Sequence, residues 1–335
     1  MTSASRLRLD GDALVANWRW LARQSGGAAC GAAVKADGYG LGAREVVARL
    51  ARAGCRDFFV ATWDEAAALG ELPEGCAMSV LHGVREEDMA VAVTSTARPV
   101  LNTSAQVARW RPTGQSCDIM IDTGMNRLGL SATDDVSGLH VETLMSHLAC
   151  ADEDSLMNEA QREAFAALDV SARRRSLANS AGICLGSDYG FDLTRPGLAI
   201  YGGIPRAEAV GHIRQVAHPE AQIVQRRRVS TGDSIGYGAT FVAERDTEVA
   251  ILNIGYADGY RRAFSSIGSA GGGRFPILGR VSMDLIVVDV SVDTSVGESD
   301  WIEVDYNLFG ASTVSGISQY ELLTGLGRRF ERVWT

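Results

Sequence analysis

The sequence predicts an α/β protein, with an N-terminal (β/α)8 barrel of the TIM type followed by a C-terminal all-β domain. Two observations support this fold class. Between residues 10 and 205, eight short apolar runs alternate with longer segments of helical periodicity, and from about residue 215 strands follow one another through Gly, Ser and Asp turns. Buried strands that alternate with helices form parallel sheets, and eight such units match a closed barrel. We therefore expect domains at residues 8–212 and 213–335, with residues 1–7 as a candidate addition to the second domain.

The eight barrel strands are expected in the apolar runs at residues 29–36, 57–63, 77–83, 98–102, 117–123, 142–149, 175–182 and 193–202. Amphipathic segments such as "AREVVARLARAG" lie between most of these runs and predict the outer helices. A doubly wound open sheet is the alternative. However, the first run is not followed by the GxGxxG phosphate turn of that fold.

The C-terminal part of the chain is expected to consist mainly of strands. The stretches "AQIVQRRRVS", "TEVAILNIGYA", "RFPILGRV", "MDLIVVDVS" and "DWIEVDY" are rich in the residues that favour strands. The Gly-rich stretch "SIGSAGGGR" predicts a mobile hairpin loop, and "SQYELLTGLGRRF" predicts a short amphipathic helix near the end.

Composition limits the partners that the chain can have. The net charge of −9 argues against a nucleic-acid or anionic-membrane surface. No apolar run reaches 18 residues, and the N-terminal residues lack the apolar core of a signal peptide. The six cysteines form no CxxC pair, which favours reduced thiols. We expect a cytoplasmic protein with neither nucleic acid nor a membrane as partner.

Lys35 is the only lysine among the 32 Lys and Arg residues of the chain. An arginine stays protonated and is a poor nucleophile, whereas a desolvated lysine can lose its proton and form a Schiff base. Chance retention of a surface lysine is the alternative interpretation. The interpretation of Lys35 as a catalytic residue is favoured by polar residues at the ends of the apolar runs, because the C-terminal ends of barrel strands carry the chemistry of this fold. They are Lys35, Asp122, His147, Asn179, Ser180 and Arg195.

Nine motifs occur along the chain in a fixed order: "AVKADGYGLG", "DTGMNRLGL", "SHLACADE", "LANSAG", "RPGLAIYG", "SIGYGATF", "IGYADGY", "GRVSMD" and "SQYELL". In these motifs, over about residues 7–334, the chain resembles the alanine racemases, which are pyridoxal 5′-phosphate-dependent isomerases of fold type III. The resemblance implies interconversion of L-alanine and D-alanine by two bases, with D-alanine supplied for peptidoglycan. It also implies a head-to-tail homodimer with shared active sites.

The resemblance assigns the two catalytic bases to Lys35, which also holds the cofactor as a Schiff base, and to Tyr237. It assigns the substrate carboxylate to Arg127 and to the backbone N–H of Met283. Arg195 resembles the residue that faces the pyridine nitrogen of the cofactor. His147 resembles the residue that links this arginine to Tyr237 by hydrogen bonds.

The resemblance also places Tyr39, Ser180, Gly197, Leu198 and Tyr320 around the cofactor phosphate, with Asn179 among the cofactor-binding residues. The glycines near Tyr39 and Gly197 allow the backbone to come close to that phosphate. Tyr256, together with Tyr320, resembles a narrow entrance that admits alanine and excludes larger side chains. No residue is expected to bind a metal.

One position departs from the family pattern. Many alanine racemases carry a carbamylated lysine two residues before the Asp of "DTGM", and this chain has Met120 there. The sequence leaves open whether Asp122, Asn126 or a bound anion holds Arg127 instead. A racemase for serine or other small amino acids remains an alternative, as does a non-catalytic carrier of pyridoxal phosphate. A basic amino-acid decarboxylase is disfavoured, because those enzymes place a carboxylate where this chain has Arg195.

Overall fold

The computed structural model of the chain describes residues 4–335. The described residues form two compact units, one of Leu14–Arg214 and one of residues 4–13 with Gln215–Thr335. The first strand, β1 (Ser5–Leu9), belongs to the second unit. The sequence-based limits of 8–212 and 213–335 remain a prediction for the domains of the protein.

The first unit is a barrel of parallel strands. The strands are β2 (Ala29–Cys30), β3 (Ala32–Ala33), β4 (Asp57–Val60), β5 (Ala77–Val80), β6 (Arg98–Leu101), β7 (Ser116–Met120), β8 (His140–Met145), β9 (Arg174–Ser176) and β10 (Leu193–Thr194). β3 to β9 follow one another in spatial order, and β10 pairs with β2. Backbone hydrogen bonds from Asp192 to Arg175 and from Arg195 to Ala178 join the last two strands. The predicted fold class is confirmed.

The first barrel strand is divided at Gly31 into β2 and β3. The Gly31 N–H donates to the Thr194 carbonyl at 2.9 Å, so the strand pairs with the last strand on one side. A Cβ added at Gly31 would lie 2.8 Å from the Asp57 carbonyl oxygen, on the side of the second strand. Glycine therefore lets the strand pass close to both neighbours where the barrel closes.

Helices connect most of the barrel strands. They are α1 (Gly11–Gln24), α2 (Lys35–Tyr39), α3 (Ala43–Ala53), α4 (Trp63–Leu69), α5 (Met89–Ala92), α6 (Ser104–Trp110), α7 (Leu156–Ala166) and α8 (Ser180–Cys184). Several begin at a side-chain cap: Thr62, Thr103 and Ser155 each accept a hydrogen bond from a backbone N–H in the first turn of α4, α6 and α7, respectively. These caps fix the first residues of each helix.

The second unit is built around a sheet that contains β1. Its strands and helices are β11 (Ala217–Val229), β12 (Ser234–Ile235), β13 (Phe241–Val242), β14 (Thr247–Leu252), β15 (Ser269–Ala270), β16 (Phe275–Pro276), β17 (Ile286–Asp289), β18 (Trp301–Glu303), α9 (Leu308–Ser315), α10 (Gln319–Thr324) and β19 (Glu331–Trp334). The main sheet has the order β17-β14-β11-β1-β19, and β18 also pairs with β11. No helix among residues 4–335 is long and apolar enough to cross a membrane.

Candidate active site

The polar residues that the sequence placed at strand ends lie at the C-terminal ends of the barrel strands. Lys35 follows β3, Asp122 follows β7, and His147 lies two residues beyond β8. Ser180 opens α8 after β9, and Arg195 directly follows β10. Because the C-terminal ends of parallel strands meet at one face of a barrel, the fold gathers these side chains at a single rim, which we call the upper rim.

The backbone after Lys35 has an unusual conformation. Ala36, Asp37 and Gly38 have φ angles of 53°, 53° and 64°, with ψ near the left-handed helical value, and Tyr39 has a φ of 57°. Left-handed helical residues other than glycine cost about 1–2 kcal/mol each, and such strain is concentrated at functional sites. Surrounding contacts must therefore hold this segment in place, directly beside the only lysine of the chain.

Lys35, Arg127 and Arg195 bring three positive charges to the upper rim around His147. Burial, and then the charge of Arg127, lower the pKa of the half-buried Lys35 amine, whereas Glu65 raises it. Burial, and then Arg195, Arg127 and Lys35, lower the pKa of His147 from 6.5 to about 3. At neutral pH His147 is therefore an uncharged imidazole, and Lys35 loses its proton more readily than a surface lysine.

Arg195 is buried and held entirely by neutral oxygens. It donates to Ser176 Oγ at 2.5 Å and to the carbonyls of Ser146 at 2.6 Å and Leu177 at 3.5 Å. Burial lowers its pKa to about 10, and Asp118 opposes this shift. Among residues 4–335 no hydrogen bond joins Arg195 to His147 in the single chain, and the link between them stays a prediction. The Arg195 guanidinium donates instead to a serine and to strand carbonyls, and its charge acts on His147.

Tyr39, Ser180 and Gly197 form a compact group beside the last barrel strands. Ser180 Oγ accepts hydrogen bonds from the N–H groups of Gly197 at 2.9 Å and Ala199 at 3.3 Å. A Cβ added at Gly197 would overlap the Tyr39 hydroxyl. The Tyr39 ring stacks on Tyr201 with 4.6 Å between ring centroids. The group therefore combines hydroxyls, a backbone N–H and a position where only glycine fits.

The neighbouring predicted residues close this group. Asn179 caps α8, because its Oδ1 accepts a hydrogen bond from the Gly182 N–H at 2.8 Å. Leu198 is buried at the start of the short 3-10 helix Leu198–Tyr201. Two helical segments, α8 and Leu198–Tyr201, therefore begin in this part of the upper rim.

Arg127 has no partner within the described chain. It is exposed, and no hydrogen bond or ion pair joins its side chain to any of residues 4–335. Asp122 does not hold it in the single chain; its Oδ1 accepts instead from the N–H groups of Gly124, Met125 and Asn126 at 2.9, 2.9 and 3.1 Å. Met120 is buried at the end of β7. The charge of Arg127 is therefore left available for an anionic ligand.

The remaining predicted residues lie in the second unit, and all are exposed. Tyr237, 67% exposed, opens the turn between β12 and β13. Tyr256 and Met283 belong to adjacent segments, because the N–H of Ala257 donates to the Met283 carbonyl at 3.0 Å. Tyr320 lies in the first turn of α10. All four are therefore exposed large side chains of this unit.

Sequence reasoning missed three sets of residues around the upper rim. Glu65 accepts hydrogen bonds from the backbone next to Lys35, and Ser146 and Ser176 hold Arg195. Gln161 holds the backbone around His147, since it donates to the His147 carbonyl at 3.0 Å and accepts from the Ala149 N–H at 2.9 Å. Only Glu65 had a local signal, because "TWDE" has the spacing of a capping box.

Comparison with known proteins now decides the family. The family model "Alanine racemase, N-terminal domain" matches residues 9–205, and "Alanine racemase, C-terminal domain" matches residues 216–334. The chain belongs to the alanine racemase family. The biosynthetic alanine racemase of Agrobacterium fabrum is 38% identical over 98% of this chain and 93% of its own length. An alanine racemase of Cereibacter sphaeroides is 43% identical over 98% of both chains.

Solved alanine racemase structures share the whole fold. The enzyme from Bartonella henselae, solved with covalently bound pyridoxal phosphate, superimposes with a TM-score of 0.91 at 34% identity, covering 100% of both chains. The biosynthetic enzyme from Pseudomonas aeruginosa gives a TM-score of 0.88 at 31% identity, also covering 100% of both chains. The predicted family, isomerase class and pyridoxal phosphate cofactor are thereby confirmed.

The residues of the upper rim fit the cofactor of this family. A phosphate needs hydroxyls and close backbone approach, and here Tyr39 and Ser180 supply hydroxyls beside Gly197, a position without a side chain. An aldehyde needs an amine that can be neutral, and Lys35 has a lowered pKa. No group of three or more His, Cys, Asp or Glu residues within 4–335 could hold a metal ion.

Proposed function

We propose that this chain interconverts L-alanine and D-alanine with pyridoxal phosphate held at the upper rim. One observation carries the proposal. The only lysine of the chain lies at the end of the first barrel strand, where burial and Arg127 lower the pKa of its amine. Such an amine can hold an aldehyde cofactor covalently and loses its proton more readily than an exposed lysine does.

The cofactor would be held at both ends. Tyr39, Ser180, Gly197 and Leu198 would surround its phosphate, together with Asn179 and, from the β unit, Tyr320. When bound, pyridoxal phosphate withdraws electrons from the substrate Cα and makes its proton acidic. Arg195, fixed by three neutral acceptors, would face the ring nitrogen, with His147 nearby. A carboxylate at this place would accept a hydrogen bond from a protonated ring nitrogen. An arginine has only hydrogen-bond donors, so Arg195 cannot do this.

Racemisation requires proton transfer on both faces of Cα. We assign one face to Lys35 Nζ and the other to the hydroxyl of Tyr237, because one base cannot easily reach both faces of a pinned substrate. Tyr237 is exposed and lies in a turn whose next residue, Gly238, has a φ of 73°. A glycine at this position lets the turn present the tyrosine outward.

The substrate carboxylate would bind Arg127 and the backbone N–H of Met283. Arg127 is exposed and unpartnered within residues 4–335, so its binding to a carboxylate displaces no internal ion pair. Tyr256 and Tyr320 would restrict the entrance to small side chains, which favours alanine. Serine differs from alanine by one hydroxyl, and an apolar entrance discriminates weakly against such an addition. A broader small amino-acid racemase is therefore the second candidate.

We further propose a head-to-tail homodimer in which the β unit of each subunit completes the barrel site of the other. Tyr237, Tyr256 and Met283 are 67%, 37% and 53% exposed in the single chain. Aromatic and methionine side chains are enriched at protein–protein interfaces relative to the rest of the surface. Two shared sites would follow from the two-fold symmetry of such a dimer.

We place the enzyme in the cytoplasm and assign it the supply of D-alanine for peptidoglycan. Two of the similar proteins, from Agrobacterium fabrum and Pseudomonas aeruginosa, carry the description biosynthetic alanine racemase, which supports this role. Loss of the gene should create a requirement for D-alanine in growth medium. Growth that is unaffected, except when D-alanine is the nutrient to be degraded, would favour a catabolic role.

The experiment that tests the activity is exchange in heavy water. Purified protein with pyridoxal phosphate is incubated separately with L-alanine and L-serine, and chirality and deuterium at Cα are followed by chiral chromatography and NMR. We expect alanine to racemise with deuterium uptake and serine to lag far behind. Equal rates would favour the broader racemase. Cofactor binding at Lys35 without exchange of either substrate would instead favour a non-catalytic carrier.

A further inference from the structure

Glu65 joins the ends of the first two barrel strands through one carboxylate. It is the third residue of α4, and its Oε1 accepts a hydrogen bond from the Ala36 N–H at 2.7 Å. Its Oε2 accepts a hydrogen bond from the Ala61 N–H at 2.7 Å. Ala36 directly follows Lys35, and Ala61 directly follows β4. Both oxygens of Glu65 therefore bind backbone, and one of them binds the peptide that links Lys35 to Ala36.

Capping of α4 does not account for this arrangement. A capping-box glutamate returns its side chain to the N–H of the N-cap residue, which here is Thr62. Instead, Thr62 Oγ1 caps the helix by accepting from the Glu65 N–H at 3.3 Å, while the Glu65 carboxylate reaches past Thr62 to Ala61 and across to the neighbouring strand. The helix would keep its side-chain cap without this carboxylate.

The backbone that Glu65 binds is the left-handed segment after Lys35. The Ala36 N–H opens that segment, and Glu65 satisfies it. At the far end, Asp37 Oδ1 accepts from the Ala43 N–H at 2.8 Å. The left-handed conformation costs about 1–2 kcal/mol at each non-glycine residue, and hydrogen bonds to two carboxylates offset part of this cost. The direction in which the Lys35 side chain leaves the backbone depends on this segment.

Glu65 also opposes Arg127 electrostatically. The pKa of Lys35 is lowered by burial and by Arg127, and Glu65 is the group that raises it. Two opposite charges therefore act on the amine: an exposed cation with no hydrogen-bond or ion-pair partner among residues 4–335, and a carboxylate fixed by two hydrogen bonds.

We propose that Glu65 is a positioning residue, whose carboxylate anchors the peptide after Lys35 and supplies the negative charge that balances Arg127 at the amine. The importance of this role for catalysis rests on the proposed function, in which Lys35 holds the cofactor and moves a proton. The anchoring of Lys35 itself does not depend on which amino acid is the substrate.

The single lysine makes a direct test possible. Reductive methylation of the cofactor-free full-length protein with ¹³C-formaldehyde labels one lysine side chain, and its NMR shift can be titrated with pH; the N-terminal amine gives a separate signal. Because Glu65 raises the pKa of Lys35, Glu65→Gln should move the titration midpoint to lower pH. The matched control is Asp64→Asn, which removes a carboxylate one residue away on the exposed side of the same helix. It should leave the midpoint unchanged.

Superimposable titrations of the wild type, Glu65→Gln and Asp64→Asn would overturn the proposal, as would equal shifts in both variants. If Glu65→Gln fails to fold by circular dichroism, Glu65→Asp decides the matter. This variant keeps the charge, but its shorter side chain cannot reach Ala36 and Ala61 together. A midpoint below that of the wild type supports the proposal, and an unchanged midpoint contradicts it.

Kinetics of the cofactor-loaded enzyme supply a second measurement. Glu65→Gln should lower kcat for alanine about tenfold and move the acid limb of the kcat profile to lower pH, with little change in KM, because the carboxylate binds no substrate. A purely structural role would lower the active fraction without moving the pH limb. If the wild type fails to racemise alanine, the proposed function is wrong, and the NMR titration still judges Glu65 independently.

Discussion

The two ends of the barrel carry charge in opposite ways. At the lower end, where the strands begin, Asp57 accepts two hydrogen bonds from Arg174 at 3.0 and 2.7 Å. Arg98, the first residue of β6, donates to the buried Asp118 in the middle of β7 at 3.3 Å. At the upper rim, no ion pair within residues 4–335 involves Lys35, Arg127 or Arg195. The lower end pairs its cations, while the upper rim leaves them for a ligand.

The difference indicates that the lower end of the barrel contributes to stability, whereas the upper rim binds ligands. A buried or half-buried cation without a carboxylate costs free energy, and a bound anion can recover that cost. Both the cofactor phosphate and the substrate carboxylate are anions. The arginines at the strand starts already donate to carboxylates, so they gain little from binding another anion. Variants at the two ends should therefore fail in different ways.

The largest effect is expected from Lys35→Ala. Removing the amine should abolish the absorbance of covalently bound cofactor and lower alanine racemisation by more than about 10⁴-fold, beyond what one general base contributes. Tyr237→Phe is the matched variant: it should keep that absorbance and still lose about 10²- to 10⁴-fold in rate. Absorbance spectra and racemisation assays measure both effects. An active, yellow Lys35→Ala protein would refute the assignment of the amine.

Arg127→Leu should weaken the upper rim without removing the cofactor. The lost charge-assisted hydrogen bonds to the substrate carboxylate should lower kcat/KM for alanine about 10- to 100-fold. Because Arg127 lowers the pKa of Lys35, its removal should also move the Lys35 titration to higher pH. The measurements are steady-state kinetics and the ¹³C titration described above.

Arg109→Leu provides the control, because Arg109 belongs to the same barrel but pairs with Glu86 at an exposed site. An exposed pair of this kind contributes little, so kinetics and titration should both stay at wild-type values. Equal losses in the two arginine variants would mean that the unpaired state of Arg127 has no special importance.

The lower end should respond in stability instead of activity. Asp57→Asn leaves Arg174 without its carboxylate and should lower the free energy of unfolding by about 2 kcal/mol. The racemisation rate per folded molecule should not change, because Asp57 lies at the start of β4, away from the upper rim. Urea unfolding and active-site titration separate the two quantities. A variant of normal stability with a lowered rate would contradict the division between the two ends.

The eight strands and the residues at their ends could be predicted because each depends on local sequence. The run at residues 57–63 contains β4, and Lys35 lies near the end of the first run, just beyond β3. Contacts between distant residues could not be predicted in this way. Glu65 is 29 residues from Ala36, and Ser146 is 49 residues from Arg195. No periodicity or motif records which strand ends become neighbours.

The Gly-rich stretch in the second unit gives a similar lesson. It does form a hairpin, between β15 and β16. Its mobility was predicted from composition alone. In the structure, Asp305 accepts hydrogen bonds from Ser269 Oγ at 2.6 Å and from the N–H groups of Gly272 and Gly273 at 3.0 and 2.8 Å. The carboxylate that ties this loop lies more than 30 residues further along the chain, so the glycines by themselves could not indicate it.

The prediction that sharpens the comparison concerns the dependence of stability on pH. Burial, and then the cations of the upper rim, lower the pKa of His147 to about 3, against 6.5 in the unfolded chain. Between these values the unfolded state binds a proton that the folded state does not. The stabilisation is therefore complete above pH 6.5 and is lost as the pH falls toward 3.

At pH 5 this loss should reach about 2 kcal/mol for the cofactor-free protein. His147→Gln should remove it, so that the variant loses about that much less stability than the wild type between pH 7 and pH 5. The exposed His82 of the same barrel supplies the control, and His82→Gln should keep the wild-type pH dependence. Urea unfolding at the two pH values measures the difference. Parallel pH dependences for all three proteins would mean that His147 can be protonated in the fold. The upper rim would then already hold enough negative charge to offset its cations, and the contrast with the lower end would disappear.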